Sequence, residues 1–99
     1  MRRKYLTGTL LDENIVCSLV DLCSMCNISA EMVHDMIEEG LIQPSGKDPR
    51  QWHFTSIEIH RIQTTIRLQR DLRVNLPGCA LVLDLLDELE ELRRLKRNR

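Results

Sequence analysis

Apolar and polar positions alternate along this chain with two periods, and the changes of period mark its elements. Leu19, Leu22, Cys23 and Cys26 recur at i, i+3, i+4 and i+7, the pattern of one buried helix face. Ser18 stands where an N-cap is wanted, with Asp21 at the capping-box position. Asn27 and Ile28 make a turn. A second helix follows, with Ser29 as its cap and Met32, Val33, Met36 and Ile37 as its buried face. Ile28 and Val33 have the spacing of a hydrophobic staple. Gly40 supplies the left-handed residue that ends such a helix. Two short helices joined by a tight turn make a helix-turn-helix.

The period then drops toward two. Residues 41–43 and 51–54 read as the edges of a small hairpin around the turn-forming stretch 44–49. Trp52 and Phe54 share one face of it, and a hairpin in this place is a wing. The helical period returns at Thr55, a cap with Glu58 three residues on. Ile59, Ile62, Ile66, Leu68 and Leu72 are the expected inner face. Asn75 and Pro77 restart the chain as a long helix from about Leu76 to about Lys96. Its first half is apolar over a wide arc (Cys79, Leu81, Val82, Leu83, Leu85, Leu86) and is expected to pack on the domain. Its second half narrows to Val82, Leu85, Leu89, Leu92 and Lys96, spaced 3-4-3-4 as in a coiled coil. Val82, Leu85, Leu89 and Leu92 are therefore a candidate dimer seam, most simply with a symmetry mate. The expected organisation is an arm at 1–14 with a short strand near residues 10–16, a winged helix-turn-helix at 15–75, and the long helix with a basic tail at 76–99. The fold class is mainly α.

Composition narrows this. The chain has 99 residues, 42% hydrophobic and 29% charged, which suits one small folded domain. Tyr5, Trp52 and Phe54 are the only aromatics, so the core is aliphatic. No apolar run reaches the roughly 20 residues that span a bilayer, and the basic start lacks the apolar core of a signal peptide. The expectation is a cytoplasmic protein with reduced thiols and no membrane contact.

The net charge is −1, but the charges are segregated. Residues 29–40 carry four acids (Glu31, Asp35, Glu38, Glu39) and no base. At about 100° per residue, Glu31, Asp35 and Glu38 fall in one stripe opposite the buried face of the second helix. A second acidic face, Asp84, Asp87, Glu88 and Glu91, lies on the long helix. The second helix of a helix-turn-helix normally meets DNA. Carboxylates there oppose phosphate, whereas they suit a basic protein helix. Against this, Lys47, Arg50, Arg61, Arg67, Arg70 and Arg73 put six cations in residues 47–73 against three acids. They can hold phosphates, hold acidic parts of a protein, or pair with the long-helix acids within the fold.

Other chemistry is sparse. Cys23 and Cys26 form one C-x-x-C, but a structural zinc site commonly wants two such pairs, and both thiols sit on the apolar face of the first helix. No metal site is expected. His34, His53 and His60 lie on different elements, with His34 beside the acidic stripe. Trp52 and Phe54 could stack bases but suit the core better. No catalytic grouping and no phosphate loop stands out, so neither an enzyme nor a cofactor is expected.

Two stretches carry a resemblance. "SAEMVHDMIEEGLIQPSGKDPRQWHF" (29–54) and above all "RLQRDLRVNLPGCALVLDLLDELEELR" (67–93) resemble the CbpM family of chaperone modulators, within the MerR-like winged-helix proteins. The likeness covers about residues 15–96. It implies a MerR-like winged helix-turn-helix that binds and inhibits a CbpA/DnaJ-type co-chaperone through its J-domain, a module that presents a basic helix. Glu31, Asp35, Glu38 and Glu39 are the preferred contact residues, with Asp84, Asp87, Glu88 and Glu91 as the alternative face. The competing reading is a dimeric MerR-like DNA-binding transcription regulator.

Overall fold

The computed structural model describes residues 16–98. The expected N-terminal arm, and most of the strand expected near residues 10–16, lie outside the described residues. The order of elements is β1 (Val16–Cys17), α1 (Leu19–Cys26), α2 (Ala30–Glu38), a 3-10 turn (Pro49–Gln51), β2 (Phe54–Thr55), α3 (Ser56–Leu72) and α4 (Leu76–Arg97). This is a mainly α winged helix with a small antiparallel sheet.

The caps fall where the sequence places them. Ser18 accepts from the Asp21 amide and Ser29 from the Met32 amide. Thr55 and Glu58 form a complete capping box, and Asn75 accepts from the Gly78 amide. Each satisfies amides that have no partner within the helix. Asn27 (φ 58°) and Gly40 (φ +81°) take the left-handed conformations that end α1 and follow α2. Leu22, Cys26, Val33, Met36, Leu41, Ile42, Phe54, Ile59, Ile62, Cys79 and Leu83 make one continuous core with Cys17. Burying each large aliphatic side chain contributes about 1.5–3 kcal/mol before chain entropy is subtracted.

The wing differs from the expected hairpin. Residues 41–43 form no strand. Leu41 and Ile42 are consecutive, yet both are buried, which a half-exposed alternating strand does not allow. The Leu41 carbonyl is held by Arg61 Nε instead of a strand partner. Only a single bridge, Ser45 with His53, closes the loop. β2 pairs with β1 instead, Val16 opposite Thr55 and Cys17 opposite Phe54. Gly46 lies at φ +109°, and a Cβ there would sit 2.3 Å from the Gln51 carbonyl oxygen. The wing is therefore a loop folded tightly on its own backbone.

Two apolar assignments also change. Leu72 is exposed, because Arg73 ends α3 in the left-handed conformation and Val74 turns in toward the core in its place. Of the wide apolar arc on α4, Cys79 and Leu83 are buried, while Leu81, Leu85 and Leu86 are exposed. Only one narrow face of α4 lies against α3.

Arg61 lies between elements, where it pairs with the long-helix acids. Its side chain is only 14% exposed. Nε donates to the Leu41 carbonyl, Nη1 donates to Asp87 at 2.8 Å, and Nη2 lies 3.8 Å from Asp84. The two carboxylates are largely exposed, so their charge is well screened and the ion pairs alone are weak. The Leu41 carbonyl is the sheltered partner. Arg61→Ala should cost about 2 kcal/mol, mostly from that unpaired carbonyl and lost packing. Asp87→Asn should cost about 0.5 kcal/mol. Urea unfolding of both variants checks this, and equal losses would contradict it.

Candidate partner-binding surfaces

α2 is built to show one face. Val33 and Met36 are buried beneath it, with Met32 and Ile37 packed at the edges of the core. Glu31, Asp35, Glu38 and Glu39 are all exposed. Among the described residues none of the four carboxylates makes an ion pair or a side-chain hydrogen bond. Glu31 in the first turn suits the helix dipole. Glu38 and the C-cap Glu39 stand at its negative end, where α2 has no basic residue.

One edge of this stripe is aromatic. His34 is exposed, and its ring centroid lies 5.1 Å from that of Trp52 at a 50° tilt. Trp52 in turn meets Phe54 edge-on at 6.3 Å. Phe54 is fully buried and Trp52 is half-buried against the core. The aromatics thus anchor the wing to α2 rather than forming an open stacking platform. His34 has Glu31 and Glu38 as its neighbours at i−3 and i+4 on the same helix.

The second acidic face is differently placed. Asp87 and Asp84 point at Arg61. Both Glu91 oxygens lie 2.6 Å from Arg94 Nη2, a hydrogen bond that holds the Glu91 carboxyl below its ordinary range. Glu90 lies 3.9 Å from Arg97. Of the residues named for this face, Glu88 alone has no ion pair among the described residues. Much of the negative charge on α4 is therefore answered inside the chain. Arg61 joins α3 to this face, and so makes the pairing with the long-helix acids that the sequence leaves open among three uses of these cations. Its signal was the sidedness of α3 relative to α4, which is a tertiary relation.

The remaining cations are dispersed. Arg70 pairs with Asp71, a hydrogen bond that lowers the Asp71 pKa. Arg67 reaches Thr64 at 3.5 Å. A cleft of about 230 Å³ between α3 and α4 is lined by His60, Arg61, Thr64, Leu86, Asp87 and Arg93 among others. Among the described residues no group of three His, Cys, Asp or Glu is placed to hold a metal ion. No helix among them is long and apolar enough to cross a membrane.

All four cysteines are free thiols. Burial pushes Cys26 up to about 11, with smaller contributions from Cys17 and Cys23 beside it. Burial likewise raises Cys17, Cys23 and Cys79. Thiolate is the reactive form, so these groups are poor nucleophiles near neutral pH. With iodoacetamide at about pH 7.5, half-exposed Cys23 should label first, and Cys26 should wait for unfolding. Peptide mass spectrometry reads the order, and early labelling of Cys26 would contradict its burial.

A profile of the MerR HTH family regulatory proteins matches residues 4–98. Chaperone modulatory protein CbpM of Coxiella burnetii (strain Dugway 5J108-111) is 30% identical over 92 residues, covering 93% of this chain and 87% of that protein. The proteins of the same name from Pseudomonas entomophila (strain L48) and Pseudomonas putida (strain W619) are each 33% identical over 72 residues, covering 73% of this chain and 71% of theirs. The helix-turn-helix, the looped wing and the long last helix agree with that placement. The chain belongs to the MerR HTH regulatory family and, within it, to the CbpM group.

Proposed function

We propose that this protein is a chaperone modulator that binds and inhibits a CbpA/DnaJ-type co-chaperone through the J-domain, with the α2 stripe as the contact surface. Its role is regulatory, not catalytic. The observation that carries this reading is the exposed, internally unanswered charge of Glu31, Asp35, Glu38 and Glu39. A Lys/Arg-rich helix laid along α2 gains four carboxylates. It also supplies the positive charge that the C-terminal end of α2 lacks. Such complementarity mainly raises the association rate and fixes orientation. The α4 face is the weaker candidate, because Arg61 and Arg94 already answer Asp84, Asp87 and Glu91.

The alternative, a DNA-binding regulator, needs the wing and α3 cations to outweigh α2. Arg61 is held inside the fold and Arg70 is paired with Asp71. Of the six cations in residues 47–73, that leaves Lys47, Arg50, Arg67 and Arg73 without an ion pair among the described residues, spread over the wing and α3 rather than set on the outward face of α2.

Calorimetric titration with a J-domain tests the reading. The triple reversal Glu31→Lys, Asp35→Lys, Glu38→Lys should weaken binding tenfold or more, about 1.4 kcal/mol. Wild-type affinity should also fall with added salt. The reversal at Glu38 favours the helix dipole, so loss of α2 is not the expected cause, and circular dichroism checks this. Unchanged affinity would place the contact elsewhere. Binding to mixed-sequence duplex DNA without J-domain binding would establish the alternative.

A further inference from the structure

Around α2 and the wing, surface charge changes sign in a fixed order. At about 100° per residue, His34 lies roughly 40–100° round α2 from Glu38, Glu31 and Asp35. Trp52 meets the helix on that flank, its ring centroid 5.1 Å from that of His34. Beyond Trp52 stands the tip of the wing. Residues 47–50 alone separate Gly46 from Gln51, and a Cβ on Gly46 would lie 3.3 Å from the Trp52 Cα. The tip is thus tied at its base to the tryptophan.

This tip is cationic. Lys47 and Arg50 are exposed, and neither has an ion pair among the described residues. Asp48 is half-buried and accepts from the Arg50 amide at 2.9 Å, so its charge is spent on capping the 3-10 turn. Charge therefore runs from negative on α2, through an aromatic line, to positive on the wing. The two ends sit on neighbouring elements, yet no ion pair joins them.

A helix that carries bases alone does not fit this surface. Seated on the α2 acids, it would bring its other flank to Lys47 and Arg50. Like charges set side by side disfavour binding, so the wing discriminates among cationic partners.

We propose that the helix docking on α2 is charged on both flanks, with bases over Glu31, Asp35 and Glu38, an apolar residue at the Trp52 edge, and a carboxylate held by Lys47 and Arg50. This rests on α2 being the J-domain contact, and it names the two wing residues that set specificity there. A lysine and an arginine can share one carboxylate through charge-assisted hydrogen bonds. They also fix the direction of the bound helix. Turned end for end, its flanks change places, so its carboxylate would lie over the acidic stripe and its bases over the wing. The α2 acids supply the greater attraction, and the wing decides which basic helix is accepted and which way it runs.

Calorimetric titration of the full chain with a CbpA/DnaJ-type J-domain tests this. Lys47→Glu with Arg50→Glu should weaken binding about tenfold, although it removes positive charge from a surface that meets a basic helix. Attraction by net charge alone predicts the opposite, a tighter complex. Reversing one surface Asp or Glu of the J-domain to Lys should restore the lost affinity. Circular dichroism checks that the variant is folded, and Lys47→Ala with Arg50→Ala, which should weaken binding about threefold, replaces it where the reversal disturbs the loop. A tighter or unchanged complex would overturn the proposal. So would weakening that no single J-domain reversal restores, since a loop with a purely structural role behaves in that way. Weakened binding in the α2 variant with none in the wing variants overturns this inference and leaves the proposed function standing. A wild-type protein that binds no J-domain overturns both.

Discussion

One guanidinium decides which charges this fold can offer. Arg61 holds the carbonyl of Leu41, the residue just past the turn that ends α2, and turns its other nitrogens to Asp84 and Asp87. It therefore ties the exit of the helix-turn-helix to the long helix. A buried cation on α3 would be costly alone. With the Leu41 carbonyl and two carboxylates it is satisfied. The same contacts reduce the acidic character of α4 and withdraw one cation from the surface. What remains open is the carboxylate stripe of α2.

Much of this was legible because it is local. Ser18, Ser29, Thr55 and Asn75 each act on an amide two or three residues away. A linear pattern captures such relations. The buried faces of α1 and α2 follow from one period and one capping signal. The misreadings share a different origin. β2 pairs with residues 16–17, nearly forty positions back, and nothing in residues 51–54 names that partner. Leu41 and Ile42 looked like a strand edge until the core took both. Leu72 fits the inward period, but the chain leaves α3 before anything can cover it. The acidic stripe was visible in sequence. That the α4 acids would be answered by Arg61 depended on how two helices face each other, which periodicity within either does not specify.

The charge pattern also separates this chain from what its fold is commonly used for. A helix-turn-helix that reads DNA gains affinity from several cations against phosphate, and it releases counterions in doing so. Here the outward face of the second helix carries four acids with no Lys or Arg, and its C-terminal end is left with no compensating base. Glu38 and Glu39 at that end disfavour the isolated helix by roughly a few tenths of a kcal/mol each, whereas Glu31 suits its first turn. Core burial of Val33 and Met36 readily offsets that cost. The winged-helix scaffold is thus retained while the outward face of α2 carries charge that opposes a polyanion.

The wing fits the same logic. A DNA-binding wing extends a hairpin toward a groove. This one folds back through Gly46, is closed by a single bridge, and rests Trp52 on His34 at the edge of the acidic stripe. Trp52 joins the loop to α2 at one side and to buried Phe54 at the other. The stripe is therefore bordered on one side by the His34–Trp52 contact, which ties the loop to α2. A basic helix approaching α2 would meet charge along one line and an apolar edge beside it. On the proposed function, that combination would favour an amphipathic cationic helix over a uniformly charged backbone, because only the former gains from both.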